Sequence, residues 1–159
     1  MENSAQVPKE IKPVNESVRT EIKTVAYYTD DAGDSQYEVL EKIVSKIPSE
    51  QSIMLIGRYH SDAEFIPNEL VMRNEKGNIV SVHISNRDIP YNTIHSAKGL
   101  EADNVIVVSC SQDGNGFPSR VSDDPILGYV LSAPETFPYA EERRLFYVAI
   151  TRARKQTYV

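Results

Sequence analysis

Two stretches of this chain carry residues suited to handling phosphate. The first, Tyr91-Asn-Thr-Ile-His-Ser-Ala-Lys-Gly-Leu-Glu101, ends a predicted strand and turns through small and polar side chains. His95 and Lys98 have the reach and chemistry to contact phosphates, and Glu101 can accept hydrogen bonds from a sugar hydroxyl. Gly99 allows backbone to come close to a ligand. Parallel α/β sheets bind ligands at the carboxyl ends of strands, where such a turn is expected. The same residues also fit the start of a helix with Ser96 as N-cap, and a single turn motif does not choose between the two.

The second stretch, Glu141-Glu-Arg-Arg-Leu-Phe-Tyr-Val-Ala-Ile-Thr-Arg-Ala-Arg154, has helical periodicity. Leu145, Val148, Ala149 and Ile150 make its apolar stripe, and Arg144 and Arg152 stand two turns apart on one side. An arginine fixed at a helix end can stabilise charge developing on a phosphoryl group transferred across an interface. The competing reading is a solvated face on which Glu141, Glu142, Arg143 and Arg144 make ion pairs, with Arg152 paired to an acid such as Glu142.

The elements that must position these residues alternate between strand and helix. Lys23–Tyr28 reads as a short strand, and Asp30–Asp34 as a turn cluster. Ser35 and Glu38 have capping-box spacing before the helical repeat Tyr37, Leu40, Ile43, Val44, Ile47, which Pro48 stops. Ser52–Ile56 reads as a buried strand. Ser61 and Glu64 repeat the capping-box spacing and predict a second helix near Pro67. Gly77-Asn78 is a turn, and Val80, Val82 and Ile84 alternate as in a strand. Asn104–Cys110 is nearly all apolar, as expected of a parallel strand covered on both faces. Residues 111–138 are rich in Gly and Pro, 140–152 form a helix, and Gln156–Val159 begin another strand. This alternation predicts a three-layer α/β domain with a mostly parallel sheet. The apolar run at Thr157-Tyr-Val159 is expected inside a domain, so the chain reads as a piece excised from a larger one.

Composition narrows the classes. The chain has 159 residues, 40% hydrophobic and 25% charged, with a formal net charge of −6. That balance argues against a broad phosphate-binding surface. Yet Arg143, Arg144, Arg152, Arg154 and Lys155 cluster late in the chain, which suits a few phosphate contacts in a defined groove. The single cysteine, Cys110, cannot form an internal disulfide, which fits a cytoplasmic location. A thiolate metal site has no support, and no apolar run is long enough to cross a membrane.

Thr93–Glu101 resembles motif V of the UvrD/Rep class of superfamily 1 DNA helicases, and Glu141–Arg152 resembles motif VI. Between them, Asp103-Asn-Val-Ile-Val-Val and Gly114-Asn-Gly-Phe-Pro118 also fit. The Gly-Phe-Pro element and the Pro-Tyr-Ala-Glu-Glu lead-in to motif VI are similar to the helicase IV branch. The match is specific over 91–159, and residues 36–60, with Ser52-Ile-Met-Leu-Ile-Gly-Arg58, fit loosely.

The resemblance implies a second RecA-like (P-loop NTPase-type) domain over residues 23–159, with motif V at 91–101 and motif VI at 141–154, after a loosely ordered leading segment at 1–22. It would be the C-terminal motor lobe of an ATP-dependent 3′-to-5′ DNA helicase. ATP and Mg²⁺ would sit between it and the N-terminal RecA-like lobe of the same parent protein, with that other lobe holding the Mg²⁺. By motif match Arg152 is the arginine finger and the catalytic residue. Glu101 binds the ribose, and Gly99 lies by the phosphates. Thr93, His95 and Lys98 serve the single-stranded DNA site. Arg144 and Tyr147 would support motif VI, and Phe117 would anchor the core.

Departures qualify this. The chain has no G-x-x-x-x-G-K-[ST] loop, no acidic pair upstream of position 91 placed to hold Mg²⁺, and no Asn-Tyr-Arg-Ser motif. The stretch from Arg58 to Tyr91 is too short for a large inserted subdomain. The chain alone is therefore expected not to hydrolyse ATP. A different class remains: a non-catalytic helicase-like module that binds nucleic acid or RNA polymerase. Having both Glu101 and Arg152 favours the motor, because a module without turnover needs neither.

Overall fold

The computed structural model describes residues 21–25, 35–110 and 140–159. Seven strands form one sheet: β1 (Glu21–Lys23), β2 (Ile53–Gly57), β3 (Val71–Arg73), β4 (Ile79–Ile84), β5 (Arg87–Thr93), β6 (Ala102–Val107) and β7 (Ala153–Tyr158). Their order is β1-β7-β6-β2-β5-β4-β3. The pairs from β1 across to β5 are parallel, and β5-β4-β3 is an antiparallel meander. Helix α1 (Gln36–Lys46) packs on one face, and α2 (Ala140–Ile150) on the other. The three-layer, mostly parallel α/β architecture is the one expected. Strand β1 is Glu21–Lys23, so of the strand expected over Lys23–Tyr28 only Lys23 is in one; Thr24 and Val25 are not in a strand, and residues 26–28 lie outside the described residues.

The sheet centre is apolar because both its faces are covered. Every residue of β2 is buried, as are Val105, Ile106 and Val107 of β6. Helix α1 forms where the repeat predicts it. Glu38 N–H donates to Ser35 Oγ at 3.3 Å, and Ser35 N–H donates to Glu38 Oε2 at 2.8 Å, which completes the capping box. Leu40 and Val44 turn inward, each contributing roughly 1.5–3 kcal/mol by burial. The Arg87 guanidinium, at the start of β5, closes the other end by donating to the carbonyls of Ile47 (3.1 Å), Pro48 (3.3 Å) and Gln51.

Two further expectations need correction. The helix predicted from Ser61 and Glu64 is one 3-10 turn, His60–Ala63. Asp62 takes the N–H groups of Arg58 (2.6 Å) and Tyr59 (3.0 Å), which folds the chain back at once. Pro67 then disfavours helix for Ile66. In β4 the inward residues are Ile79, Val82 and Ile84, while Val80 is 38% exposed. The β3–β4 register shifts there: Met72 pairs with Ser81 but Arg73 pairs with Ile79, so strict alternation breaks opposite the irregularity. The β4–β5 hairpin turns on Ser85 (φ 52°) and Asn86 (φ 59°), a left-handed pair with no glycine to mark it in the sequence. The Gly77 turn is as expected, with φ 78° and the Asn74 side chain accepting from Lys76 and Asn78 N–H.

Candidate functional site

Strands β2, β5, β6 and β7 all run the same way. Residues that follow them therefore share one edge of the sheet, and residues that precede them share the other. Thr93 ends β5 and Arg58 follows β2, so both stand at the carboxyl edge. Glu101 precedes β6 and Arg152 precedes β7, so both stand at the amino edge. The segment 94–101 joins the edges by crossing one sheet face. Ile94 and Ala97 are buried there with Met54, Ile56, Val105, Leu145 and Ala149. Helix α2 makes the return trip. Its 11 residues rise about 16 Å, with Glu142 at the carboxyl edge and Ile150 and then Arg152 at the amino edge.

The carboxyl edge is a built polar network. Thr93, and not Ser96, caps the turn: its Oγ1 accepts from Ser96 N–H at 3.3 Å, and its carbonyl accepts from Ala97 N–H at 2.9 Å and Ser96 Oγ at 3.0 Å. Ile94 N–H donates to Gly57 O at 2.9 Å, fastening the turn to the end of β2. The turn does not continue into a regular helix, because Gly99 (φ 87°) leaves right-handed geometry. Gly57 is fixed by crowding: a Cβ there would meet the Tyr91 hydroxyl at 2.1 Å and Asp62 Cβ at 3.0 Å. That hydroxyl donates to Tyr59 O. Burial, with the Asp62 charge adding, holds the Tyr91 phenol neutral well above its usual range. The same two causes push the Cys110 thiol up to about 12, so it offers no thiolate at neutral pH.

The main feature of this edge is an ion pair. Arg58 Nε donates to Glu142 Oε1 at 3.1 Å and Oε2 at 3.3 Å, and its Nη2 donates to Oε1 at 2.9 Å. Their side chains are only 17% and 12% exposed. The guanidinium also lies 4.9 Å from the centre of the Tyr59 ring. Burial opposes the charge on Arg58, but the hydrogen bond and charge of Glu142 outweigh it and raise its pKa.

At the amino edge, Ala102 N–H donates to Arg152 O at 3.1 Å, which joins the segment holding Gly99 and Glu101 to the end of α2. Arg152 Nε donates to Val148 O at 3.0 Å and Nη2 to Thr151 Oγ1 at 3.1 Å. It makes no carboxylate pair among the described residues. A pairing with Glu142 is ruled out, because that carboxylate is bound to Arg58. Glu101 is exposed, and among the described residues nothing lies within 4 Å of a Cβ built on Gly99, so these residues leave the edge open. Asp103 also stands here. Ser52 N–H donates to it at 3.0 Å, and Lys155 lies 3.6 Å away.

The structure thus divides the candidates. Gly99, Glu101 and Arg152 share the amino edge, whereas Thr93 lies at the carboxyl edge. His95 and Lys98 are exposed on the segment between them. The expectation that all of motif V sits at the carboxyl ends of strands fails, because 94–101 spans the sheet. Arg144 pairs with Glu141 at 2.9 Å, as the solvated reading has it, but Tyr147 is 57% exposed and does not pack into the helix seat. Phe117 and the Gly114–Pro118 element lie outside the described residues. Arg58 is a site residue that its sequence neighbourhood does not single out. An arginine placed just after an all-apolar strand hints at a charge set on a sheet edge, but its partner 84 positions away is not legible.

Among the described residues, no group of three or more His, Cys, Asp or Glu could hold a metal ion. The amino-edge set of one arginine, one carboxylate and an open glycine suits a phosphate and a sugar better than a cation. A cavity of about 130 Å³ lies against the α1 face of the sheet, lined by Val39, Leu40, Phe65 and Val108 among others, and contains none of the candidates. No helix of the described residues is long and apolar enough to cross a membrane.

Comparison with known proteins bears on this arrangement. The chain is 31% identical to DNA helicase IV of Escherichia coli (strain K12) over 92% of its own length and 20% of the relative's. It is 28% identical to a probable DNA helicase II homolog of Mycoplasma pneumoniae over 74% of its own length and 14% of that protein's. It spans a fifth or less of the length of either. Residues 69–159 match the UvrD-like helicase C-terminal domain, and they hold the turn after β5, strand β6, helix α2 and the amino-edge candidates Gly99, Glu101 and Arg152. With its three-layer RecA-like fold, the chain belongs to the UvrD-like helicase C-terminal domain family.

Proposed function

We propose that residues 23–159 are the C-terminal lobe of an ATP-dependent 3′-to-5′ DNA helicase, completed by an N-terminal RecA-like lobe of the same parent protein. ATP lies against the amino edge, and Mg²⁺ is held by the other lobe. Glu101 accepts from the ribose hydroxyls, and the open backbone at Gly99 lies beside the phosphates. Arg152 places its guanidinium on the γ-phosphate and stabilises the charge that develops during transfer. Single-stranded DNA follows the carboxyl edge and the exposed segment after it, through Thr93, His95 and Lys98. The cationic contacts are few and go to phosphates, so this lobe binds single-stranded DNA weakly and loses affinity as salt rises.

The observation that carries this reading is the hydrogen bond from Ala102 N–H to Arg152 O. It fixes the last turn of motif VI against the residue following Glu101, so the cation and the sugar acceptor are held on one open edge. In the full-length parent, Arg152→Ala is expected to cut ATP turnover by roughly 10³-fold or more while the melting temperature changes little. Arg152→Lys restores only part of it, because an ammonium lacks the guanidinium fork. Near-normal turnover in Arg152→Ala would remove the proposal.

A further inference from the structure

We propose that Arg58 and Glu142 form a positioning clamp: the pair locks α2 between the two edges, so that nucleic acid held at the carboxyl edge sets where Arg152 stands at the amino edge. This rests on the role proposed above for Arg152.

Four features of the pair support it. It is bidentate and mostly buried, so it fixes orientation as well as distance. Its strand side is rigid: Asp62 takes the N–H groups of Arg58 and Tyr59, Ser109 Oγ donates to Asp62 O at 2.9 Å, and the Tyr91 hydroxyl donates to Tyr59 O. Its helix side sits in the first turn of α2, where a carboxylate is favoured by the helix dipole. The far end of that helix is pinned as well, by Thr157 Oγ1 donating to Ile150 O at 3.1 Å and Ala102 N–H donating to Arg152 O.

The path from nucleic acid to clamp is short. Thr93 is the Cα partner of Gly57, and Ile94 N–H donates to Gly57 O, one residue before Arg58. A shift of the Thr93–His95 turn is therefore felt at Arg58 through one backbone step. From Arg58 it passes to Glu142, and a stiff helix carries it to Arg152. Stability alone does not explain the pair, since apolar residues of similar size stabilise such positions equally well or better. What a charged fork adds is a single geometry.

The test uses the full-length parent protein, with oligothymidylate as the DNA probe. Glu142→Gln, Arg58→Lys and the double variant Arg58→Met/Glu142→Leu are compared for ATP turnover with and without saturating oligothymidylate, for ATP KM and for melting temperature. The clamp predicts that Glu142→Gln and Arg58→Lys keep ATP KM but lose about tenfold in the stimulation of turnover by DNA. It also predicts that the double variant regains melting temperature without regaining stimulation. If a single variant does not fold, the double variant decides. Wild-type stimulation in the double variant, or stimulation that merely follows melting temperature across the set, would overturn the clamp. Arg152→Ala is run alongside: retained turnover there sinks the underlying reading, whereas lost turnover with intact stimulation in the clamp variants sinks the clamp alone.

Discussion

The two edges of this sheet are built differently. At the carboxyl edge the polar groups find each other within the lobe: Arg58 with Glu142, Asp62 with the turn after β2, Thr93 with Ser96, and Tyr91 with Tyr59. At the amino edge, among the described residues, Gly99 is open, Glu101 is exposed, and Arg152 reaches only its own helix end. A finished network costs little reorganisation when a ligand arrives. An open one, tied down chiefly by backbone, has the character of half a site and takes its remaining groups from another surface. Substitutions in the packed carboxyl edge should therefore cost more stability than those at the amino edge, and loss of basal turnover should centre on Arg152.

The largest stability effect is expected at Gly57. An alanine there collides with the Tyr91 hydroxyl and presses on Asp62. The cost should be about 2–3 kcal/mol from overpacking and a displaced buried hydrogen bond, read as the shift of a urea unfolding midpoint. Tyr91→Phe removes the clashing oxygen, so the double variant should lose less than the sum of the two singles. Strict additivity would break the picture of a tightly closed edge.

Gly99→Ala should cost less, about 1–2 kcal/mol. Its φ of 87° strains an L residue, while the added methyl group meets nothing within 4 Å. A cost equal to that at Gly57 would mean that the amino edge is more crowded than it looks.

Asp103 sharpens the contrast through pH. Its carboxyl is held below the usual carboxylate range, chiefly by the Ser52 N–H, against some burial, with the Ser52 hydroxyl, Lys155 and Arg154 assisting. A lowered native pKa means that the ionised form stabilises the fold above the unfolded value near 3.9, and that this contribution is lost as pH falls through the native value. Asp103→Asn should cost about 1 kcal/mol or less at neutral pH, since the group is partly solvated. The gap from wild type should close as the pH is lowered below about 4 in thermal melts. A gap that persists in acid would contradict the assignment.

Much of the fold was legible because local rules and burial agreed. Ser35 and Glu38 announced α1, and the mostly apolar runs within 52–56 and 104–110 announced strands covered on both sides. Motifs V and VI were legible as patterns of residue types. What failed depended on three-dimensional context. Asp62 turning back to its own strand end pre-empted a helix at Ser61, and a register shift put Val80 outside. The direction of the sheet decides that Gly99 and Glu101 stand at the amino edge, and no spacing within 91–101 reports it. In the sequence Glu142 is one member of a charge run, and its partner Arg58 stands 84 positions away.

The division of labour between the edges is tested most directly by measuring ATP turnover and single-stranded DNA affinity on two full-length variants, Arg152→Ala and His95→Ala/Lys98→Ala. Arg152→Ala should lose roughly 10³-fold in turnover and bind DNA as wild type does. His95→Ala/Lys98→Ala should bind DNA more weakly, with a shallower salt dependence, and keep its turnover once DNA is saturating. Normal turnover in Arg152→Ala, or the same pattern of loss in both variants, would contradict the account.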